Sequence, residues 1–208
     1  TALQGAIDSA GLRGITDLIP AYADLTVCYD CTVISAKALQ RQLRRLLDSL
    51  SVAGQDRRRV FRLPVCYGGD YGPDLDFVCR HSGLSAQEVI ELHSAPDYLI
   101  YMLGFLPGFA YLGGLDPRLH TPRLDSPRTC IPAGSVGIGG AQTGVYPLAS
   151  PGGWQLLGRT PVSVFDRQRQ EPILYRAGDL VHFVPISPAE YEEIARAVAA
   201  GTYTVQVE

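Results

Sequence analysis

The chain has 208 residues, of which 46% are hydrophobic and 19% are charged, a composition that is typical of a globular protein and excludes a disordered one. Its net charge of −3 disfavours non-specific binding of nucleic acid. No stretch reaches the roughly 18 apolar residues of a membrane span, and no basic segment followed by an apolar one opens the chain. We therefore expect a cytoplasmic protein that binds neither nucleic acid nor membrane, with its five cysteines reduced.

Arginine supplies nearly all of the positive charge, since Lys37 is the only lysine among 18 basic residues. A phosphate-binding P-loop requires Gly-Lys-Ser/Thr, which the chain lacks. Lys37 is also the only position at which biotin could be attached, and we expect neither biotin nor a metal on this chain. An anion would be held by arginine, by backbone N–H groups or by a helix N-terminus.

The N-terminal part of the chain has the pattern of a small α/β unit. Leucines recur at helical spacing between residues 39 and 50, with arginines on the opposite face, which predicts an amphipathic helix. Capping boxes at residues 85–88 and 187–190 predict the starts of two further helices. The predicted elements are helix Ala2–Ala10, strand Leu25–Tyr29, helix Ala36–Leu50, strand Val60–Val65, a helix after Ser85 and a helix after Ser187.

From residue 98 onward glycine and proline separate short apolar runs, as in a β-barrel or a β-sandwich with long loops. We place a domain boundary near Ala95 and Pro96, which gives domains 1–95 and 96–208. The predicted strands of the second domain are Tyr98–Gly104, Val136–Ile138, Pro161–Phe165, Leu180–Val184 and Tyr203–Val207.

Four prolines spaced five residues apart define an unusual loop between Pro117 and Pro132. The first three are each followed by an arginine: Arg118, Arg123 and Arg128. Because proline excludes a regular helix, we expect an extended, stiff loop that presents three guanidinium groups. The alternative is a solvated loop whose arginines only pair with Asp116 and Asp125 at the surface.

Two motifs admit nucleotide, redox or metal chemistry, but each lacks an essential part. The glycine-rich segment 134–140 fails the dinucleotide pattern at Gln142, and it fails the nucleophile-elbow pattern because no long helix follows. Tight β-turns or a backbone wall against a ligand are the favoured interpretation. Cys28 and Cys31 form a C-x-x-C motif without further zinc ligands and without a helix that begins at the first cysteine.

The four histidines differ in their sequence context. His93 lies near the end of a predicted helix, where a cation suits the helix dipole, and a structural role is expected. His182 alternates within a predicted strand and is also interpreted as structural. His120 lies in the proline-arginine loop and is the best histidine candidate for chemistry.

Aromatic residues lie beside glycine and proline in two segments, Gly104–Leu112 and Ser150–Gln155, and the second holds the only tryptophan, Trp154. Large aromatic surfaces beside bare backbone are typical of a small-molecule pocket. The alternative is a hydrophobic plug that closes one end of a barrel.

These segments together resemble the motifs of one family. Residues 104–112 are similar to its G-F-x-P-G-F-x-Y-L signature, and residues 122–136 to its P-R…P-R…V-P-x-G-S-V stretch. The further matches, in order, are Gln142–Pro147, Ser150–Trp154 and Gly158–Pro161, with Val65–Gly69 and Gly72–Leu75 in the first domain. The chain is identified as a member of the allophanate hydrolase subunit 1 family, also called the 5-oxoprolinase B-subunit family or KipI.

The resemblance implies an α+β fold, with a ferredoxin-like α/β domain that lacks its first strand and a cyclophilin-like β-barrel domain. It implies two partners, the C-type subunit of 5-oxoprolinase, which is of the allophanate hydrolase subunit 2 type, and the A-type subunit. Such complexes open 5-oxo-L-proline to L-glutamate at the expense of ATP. Related pairs form the carboxyltransferase region of urea carboxylase, and one branch inhibits a sensor histidine kinase.

Two functions follow from these observations. The first is a subunit of an ATP-dependent cyclic-amide hydrolase that is inactive alone, because the chain has neither a P-loop nor a convincing nucleophile. The second is a protein-binding module that blocks a histidine kinase through an aromatic face of the barrel. The stiff arginine loop favours the enzyme, since guanidinium groups suit carboxylate and phosphate. The catalytic candidates are His120, Arg123 and Arg128, and the substrate-binding candidates are Tyr111, Gln142, Tyr146, Trp154 and Arg159.

Overall fold

A computed structural model describes residues 2–21, 24–50 and 58–208, in two compact units, Thr1–Arg58 and Arg59–Glu208. The helices are α1 (Ala2–Ala10), α2 (Ala36–Ser49), α3 (Leu75–Ser82), α4 (Ala86–Ser94) and α5 (Pro188–Ala199). The strands are β1 (Ile15–Pro20), β2 (Leu25–Tyr29), β3 (Val60–Tyr67), β4 (Asp97–Leu103), β5 (Ala110–Gly113), β6 (Arg128–Ile131), β7 (Ser135–Gly139), β8 (Gln142–Val145), β9 (Ser150–Gly152), β10 (Gln155–Arg159), β11 (Leu180–Ile186) and β12 (Gln206–Val207). Within these ranges no helix has the length and apolar character needed to cross a membrane.

The first unit has the element order α1-β1-β2-α2, and its two strands pair antiparallel. Helix α1 ends at Gly11, whose φ of 54° is left-handed backbone that glycine adopts without strain. The side chain of Ser35 caps α2 by accepting a hydrogen bond from the N–H of Ala38. The order corresponds to the central part of the ferredoxin-like order βαββαβ.

The second unit is built on a closed barrel of seven strands. Their order is β10-β7-β8-β5-β4-β11-β3, and β3 pairs again with β10 to close the barrel. Strand β3 also pairs in parallel with β11 over seven residue pairs, so residues 60–67 are part of the barrel. The boundary expected near Ala95 and Pro96 lies inside this unit, between α4 and β4, because β3 completes the barrel from earlier in the chain.

The barrel interior is filled by apolar side chains from alternate strand positions. Leu63, Ile100, Leu112, Ile138, Leu157 and Phe183 are each at most 1% exposed. Val78 of α3 and Val89 of α4 join the same core. This confirms the predicted α+β class with a β-barrel.

Both predicted capping boxes are present, in the pairs Ser85–Glu88 and Ser187–Glu190. In each pair the serine side chain accepts a hydrogen bond from the backbone N–H of the glutamate, and the glutamate side chain accepts one from the backbone N–H of the serine. The strand predicted at 161–165 is wrong: the segment consists of bends and irregular backbone, and only Phe165 forms an isolated bridge. Helix α3 and six strands were not predicted, and five of those strands have five residues or fewer. Such short, glycine-containing strands carry too little periodicity to be recognised.

A buried chain of hydrogen bonds crosses the barrel through His93, which is 0% exposed. Thr143 Oγ1 donates to the carbonyl of Gly137, so it must accept from His93 Nε2–H at 2.8 Å, and Nδ1 then accepts from the Tyr67 hydroxyl at 2.8 Å. Burial lowers the pKa of His93 to about 3, which makes the ring neutral at pH 7. The expected structural role agrees with this network, but the expected cation at the helix C-terminus is wrong.

Candidate functional site

Five aromatic side chains and one arginine line a cavity of about 300 Å³ in the second unit, which we call the aromatic cavity. Its volume lies at the lower end of the range for small-molecule sites. Pro127 of the proline-arginine loop, Pro151 and Gly152 of β9 and the following Gly153 complete the walls. The six side chains are Phe105, Phe109, Tyr111, Tyr146, Trp154 and Arg123.

Phe109 is the centre of the aromatic cavity. Its ring makes edge-to-face contacts with the other four rings, at centroid distances of 5.2–5.5 Å. Phe109, Tyr146 and Trp154 belong to a small apolar cluster that is distinct from the core of the barrel. The cavity is therefore lined by an aromatic cluster that is separate from the core of the barrel.

The glycine-rich segment makes room for Trp154. A Cβ atom on Gly139 would lie 2.3 Å from Trp154 Nε1, which is closer than real contacts allow. Gly140, with a φ of 66°, lies at the turn between β7 and β8, as expected for a tight β-turn. The backbone wall expected in this segment faces the protein's own tryptophan ring.

Arg123 is the only cation among the described residues that line the aromatic cavity. Its guanidinium carbon lies 5.9 Å from the centroid of the Trp154 ring, within range of a cation–π contact. None of the ion pairs among the described residues involves Arg123, and Asp116 is paired with Arg118 at 2.7 Å. The alternative of a surface pair with Asp116 or Asp125 is therefore wrong for Arg123, whose charge is left available to an anion in the cavity.

Tyr146 is neutral in this environment. Burial raises the pKa of its hydroxyl, and a hydrogen bond with the backbone of Trp154, followed by the positive charges of Arg123 and Arg128, opposes that shift to a smaller extent. A neutral phenol can donate or accept a hydrogen bond, so the cavity offers a polar atom beside its single cation.

Arg128 lies behind the cavity wall and is engaged by the protein itself. Its Nη2 donates to Asp74 at 2.7 Å, and its Nη1 donates to the carbonyl of Trp154 at 3.3 Å. The second oxygen of Asp74 accepts from the backbone N–H of Leu156 at 2.7 Å. Arg128 is therefore bound directly to the carbonyl of Trp154 and, through Asp74, to the N–H of Leu156, and it does not line the cavity.

The proline-arginine loop is held in place by hydrogen bonds as well as by its prolines. The N–H of Leu124 donates to the carbonyl of Gly153 at 2.7 Å, and the side chain of Gln155 donates to the carbonyl of Pro122 at 3.1 Å. The loop is not extended throughout: residues 117–119 form a 3-10 turn and residues 128–131 form β6, which pairs with β9.

Three other candidates lie outside the cavity lining. His120 is exposed at the end of the 3-10 turn, and Gln142 is half-buried at the start of β8. Arg159, at the end of β10, lies beside Tyr191, whose pKa burial raises and Arg159 partly lowers. Their roles in chemistry stay predictions. Of the eight candidates, the structure brings Tyr111, Arg123, Tyr146 and Trp154 together around the cavity.

Three important residues were not singled out from the sequence: Phe105, Phe109 and Asp74. Both phenylalanines lie in the aromatic segment 104–112, but nothing in a linear pattern shows which ring is central. Asp74 lies within the matched motif 72–75, and its contact with Arg128 spans 54 positions. Only the fold reveals such a pair.

The described residues include the side-chain types that bind metals, and their cysteines are all in the thiol form. No three or more His, Cys, Asp or Glu side chains come together there in a way that could hold a metal ion. All five cysteines are free, with Cys28 half-buried and Cys31 exposed.

Comparison with known proteins places this chain among related sequences. Residues 1–175 match the family described as "Carboxyltransferase domain, subdomain C and D". The chain is 45% identical over 200 residues to the 5-oxoprolinase B subunit of Bacillus subtilis (strain 168), covering 91% of this chain and 83% of that protein. It is 51% identical over 175 residues to the protein of the same name of Escherichia coli O157:H7, covering 84% and 79%.

Solved structures agree with the fold. A conserved uncharacterized protein of Pyrococcus horikoshii, PH0987, is 44% identical with a TM-score of 0.62, covering 91% of this chain and 87% of that one. The urea carboxylase of Kluyveromyces lactis is 23% identical with a TM-score of 0.72, covering 100% of this chain and 21% of that one. The comparison with urea carboxylase shows a shared fold, and the matching region is a small part of that much longer chain.

Proposed function

Because the chain belongs to the family of carboxyltransferase domains, subdomains C and D, we propose that it is the B-type subunit of a 5-oxoprolinase. This complex converts 5-oxo-L-proline, ATP and two water molecules into L-glutamate, ADP and phosphate. The observation that carries the proposal is 45–51% identity to proteins named as the B subunit of 5-oxoprolinase over most of this chain. The aromatic cavity supports it, since its chemistry suits a small ring that carries one negative charge.

The substrate is a five-membered cyclic amide with one carboxylate. In the proposed complex the carboxylate binds to Arg123, and the ring packs between aromatic walls such as Tyr111 and Trp154. The amide carbonyl is unreactive toward water, so ATP phosphorylates its oxygen. One water then attacks the activated ring carbon and the ring C–N bond breaks to give an acyl phosphate, which the second water hydrolyses to L-glutamate and phosphate. Arginine suits both anions because its planar guanidinium forms paired hydrogen bonds to carboxylate and phosphate.

Partner subunits complete the proposed site. The chain has no P-loop, so the A-type subunit and the C-type subunit, the latter of the allophanate hydrolase subunit 2 type, supply ATP binding and the rest of the machinery. We place the complex in the cytoplasm, which the five free cysteines support.

Reconstitution with the co-encoded A-type and C-type subunits tests the proposal. The complete complex should release glutamate and ADP in equal amounts from 5-oxo-L-proline and ATP, and this chain alone should do neither. Complexes lacking this chain serve as the control. Turnover by the isolated chain, or no dependence on it, would contradict the proposal. Inhibition of a histidine kinase in place of turnover would support the protein-binding alternative.

Arg123 provides a residue-level test. Arg123→Gln removes the one cation found in the described cavity lining, and we expect KM for 5-oxo-L-proline to rise about tenfold or more, since a charge-assisted hydrogen bond contributes roughly 1.5–3 kcal/mol. Arg118→Gln is the matched control, because it lies in the same loop but pairs with Asp116 on an exposed surface. Equal kinetics for the two variants would contradict carboxylate binding by Arg123.

A further inference from the structure

Phe105 has a strained backbone. Its φ is 67°, the only positive φ of a non-glycine residue among the described residues. The N–H of Leu106 donates to the carbonyl of Gly104 at 2.8 Å, which closes a three-residue γ-turn with Phe105 at its centre. The γ-turn with a positive central φ is rare, and a bulky side chain in this conformation is destabilising.

The surrounding turn enforces this conformation. The N–H of Gly104 donates to the carbonyl of Phe109 at 3.1 Å, and the N–H of Phe109 donates to the carbonyl of Leu106 at 3.0 Å. Gly108, with a φ of 83°, packs tightly against Phe165, where an added Cβ would lie 3.0 Å away. Strain that is fixed from several sides in this way tends to occur at functional sites.

The side chain of Phe105 is far more exposed to solvent than the buried rings of the aromatic cavity. It is 62% exposed, whereas Phe109, Tyr146 and Trp154 are 2–5% exposed. It nevertheless lines the cavity and meets Phe109 edge-to-face at 5.5 Å. The strained turn thus holds a large apolar ring at the rim of the cavity, where it gains little from burial in the protein itself.

We propose that Phe105 is a ligand-contact residue that covers the apolar face of a small cyclic monocarboxylate bound in the aromatic cavity. The inference rests on the proposed function and identifies what the site selects. The cavity presents one cation and no acidic side chain among its described lining residues. A cyclic monoanion therefore finds a partner for its charge, and Phe105 covers its methylene groups.

Selection against an open-chain amino acid follows from the same lining. The ammonium group of L-glutamate would find no carboxylate in the described lining and would be repelled by the guanidinium of Arg123, so its transfer from water is disfavoured. The site should prefer the ring-closed substrate to the ring-opened product, and removal of the Phe105 ring should weaken ring binding more than glutamate binding.

Trp154 makes the test direct, because it is the only tryptophan of the chain and lines the cavity. The full chain is titrated with 5-oxo-L-proline, with L-glutamate and with benzoate, a planar monoanion that needs no enzymatic turnover. Tryptophan fluorescence gives the affinities, and KM is measured in the complex. We expect Phe105→Ala to weaken binding of both cyclic probes about fivefold or more, because an apolar contact the size of a phenyl ring is lost.

Phe77 on α3 supplies the matched control, since it is also exposed but does not line the cavity. Phe77→Ala should leave the affinities unchanged. Phe105→Gly should unfold at the same or a higher denaturant concentration than Phe105→Ala, because glycine tolerates the positive φ. At the helical position 77 the order should be reversed, with Phe77→Gly less stable than Phe77→Ala. Phe105→Gly also keeps the binding test available if Phe105→Ala folds poorly.

The outcomes separate this inference from the proposed function. Weaker benzoate binding by both Phe105 variants, in a complex that does not open 5-oxo-L-proline, would support the contact role and contradict only the proposed function. Unchanged affinities and unchanged KM in an active complex would overturn the role of Phe105 alone. Absence of any fluorescence change with both cyclic probes in the wild type, or preference for L-glutamate, would also overturn it.

Discussion

The side chains of Asp74 and Arg128, which are 54 positions apart in the chain, meet at 2.7 Å behind Trp154. Because Asp74 also accepts from the N–H of Leu156 and Arg128 donates to the carbonyl of Trp154, the pair fixes the backbone that carries the tryptophan ring. The sequence pattern predicts that Arg128 acts on substrate, and these contacts instead favour a positioning role.

This positioning role predicts that substitution of Asp74 or Arg128 both lowers the stability of the protein and changes the surroundings of the Trp154 ring. Arg128→Ala leaves the largely buried Asp74 carboxylate with one hydrogen bond fewer, and we expect a loss of about 1–3 kcal/mol in the free energy of unfolding. Denaturant unfolding of Asp74→Ala, Arg128→Ala and the double variant measures the coupling between them. The fluorescence maximum of Trp154 should shift in all three. Additive effects and an unchanged spectrum would contradict the role.

The neutral, buried His93 predicts a stability that depends on pH. Its folded pKa of about 3 lies below the ordinary value of 6.5, so below pH 6.5 the unfolded chain binds a proton that the folded chain does not. Stability is therefore complete above pH 6.5 and falls as the pH decreases toward 3. Between pH 7 and pH 5 the expected loss is about 2 kcal/mol.

Unfolding of His93→Gln at both pH values checks this expectation. The variant should be less stable than the wild type at pH 7, because the hydrogen bonds to Tyr67 and Thr143 are disturbed, but it should lose about 2 kcal/mol less between pH 7 and pH 5. His81→Gln, at an exposed position of α3, is the control and should keep the wild-type dependence. An identical pH dependence in His93→Gln would show that His93 is not the responsible group.

Gly139 is expected to be intolerant of a single added methyl group. Its Cβ would overlap the Trp154 ring at 2.3 Å, so Gly139→Ala must displace either the ring or strand β7. We expect a loss of about 1–3 kcal/mol in stability and weaker binding in the aromatic cavity. Gly153→Ala is the matched control for stability, because its nearest contact would be an ordinary 3.7 Å. Equal stability of the two variants would show that the ring moves freely.

The two cysteines of the C-x-x-C motif are expected to be dispensable. Cys28 and Cys31 are free thiols on partly or fully exposed positions, and substitution at such sites changes free energies little. Complexes containing the double variant Cys28→Ser, Cys31→Ser should retain 5-oxo-L-proline turnover within about twofold. A loss of turnover with unchanged circular dichroism would assign these thiols a function after all.

Short-range sequence patterns correctly predicted the helices whose signals lie within a few neighbouring residues. The leucine spacing between residues 39 and 50 predicted α2, and the capping boxes at Ser85 and Ser187 predicted the starts of α4 and α5. A cap or an amphipathic face is formed within a few residues of sequence, so it can be recognised without the fold. The short strands β5, β8 and β9 escaped prediction, because their conformation comes from the partners with which they pair.

The sequence by itself determined the fold class, the aromatic segments, the proline-arginine loop and the family motifs. Which arginine faces the cavity was decided only by tertiary structure: Arg123 and Arg128 follow prolines in the same way, yet Arg123 lines the cavity and Arg128 pairs with Asp74. The same holds for β3, which joins the barrel because its partners β10 and β11 come more than 80 residues later. Such choices depend on contacts between distant parts of the chain, whose energies no local pattern encodes.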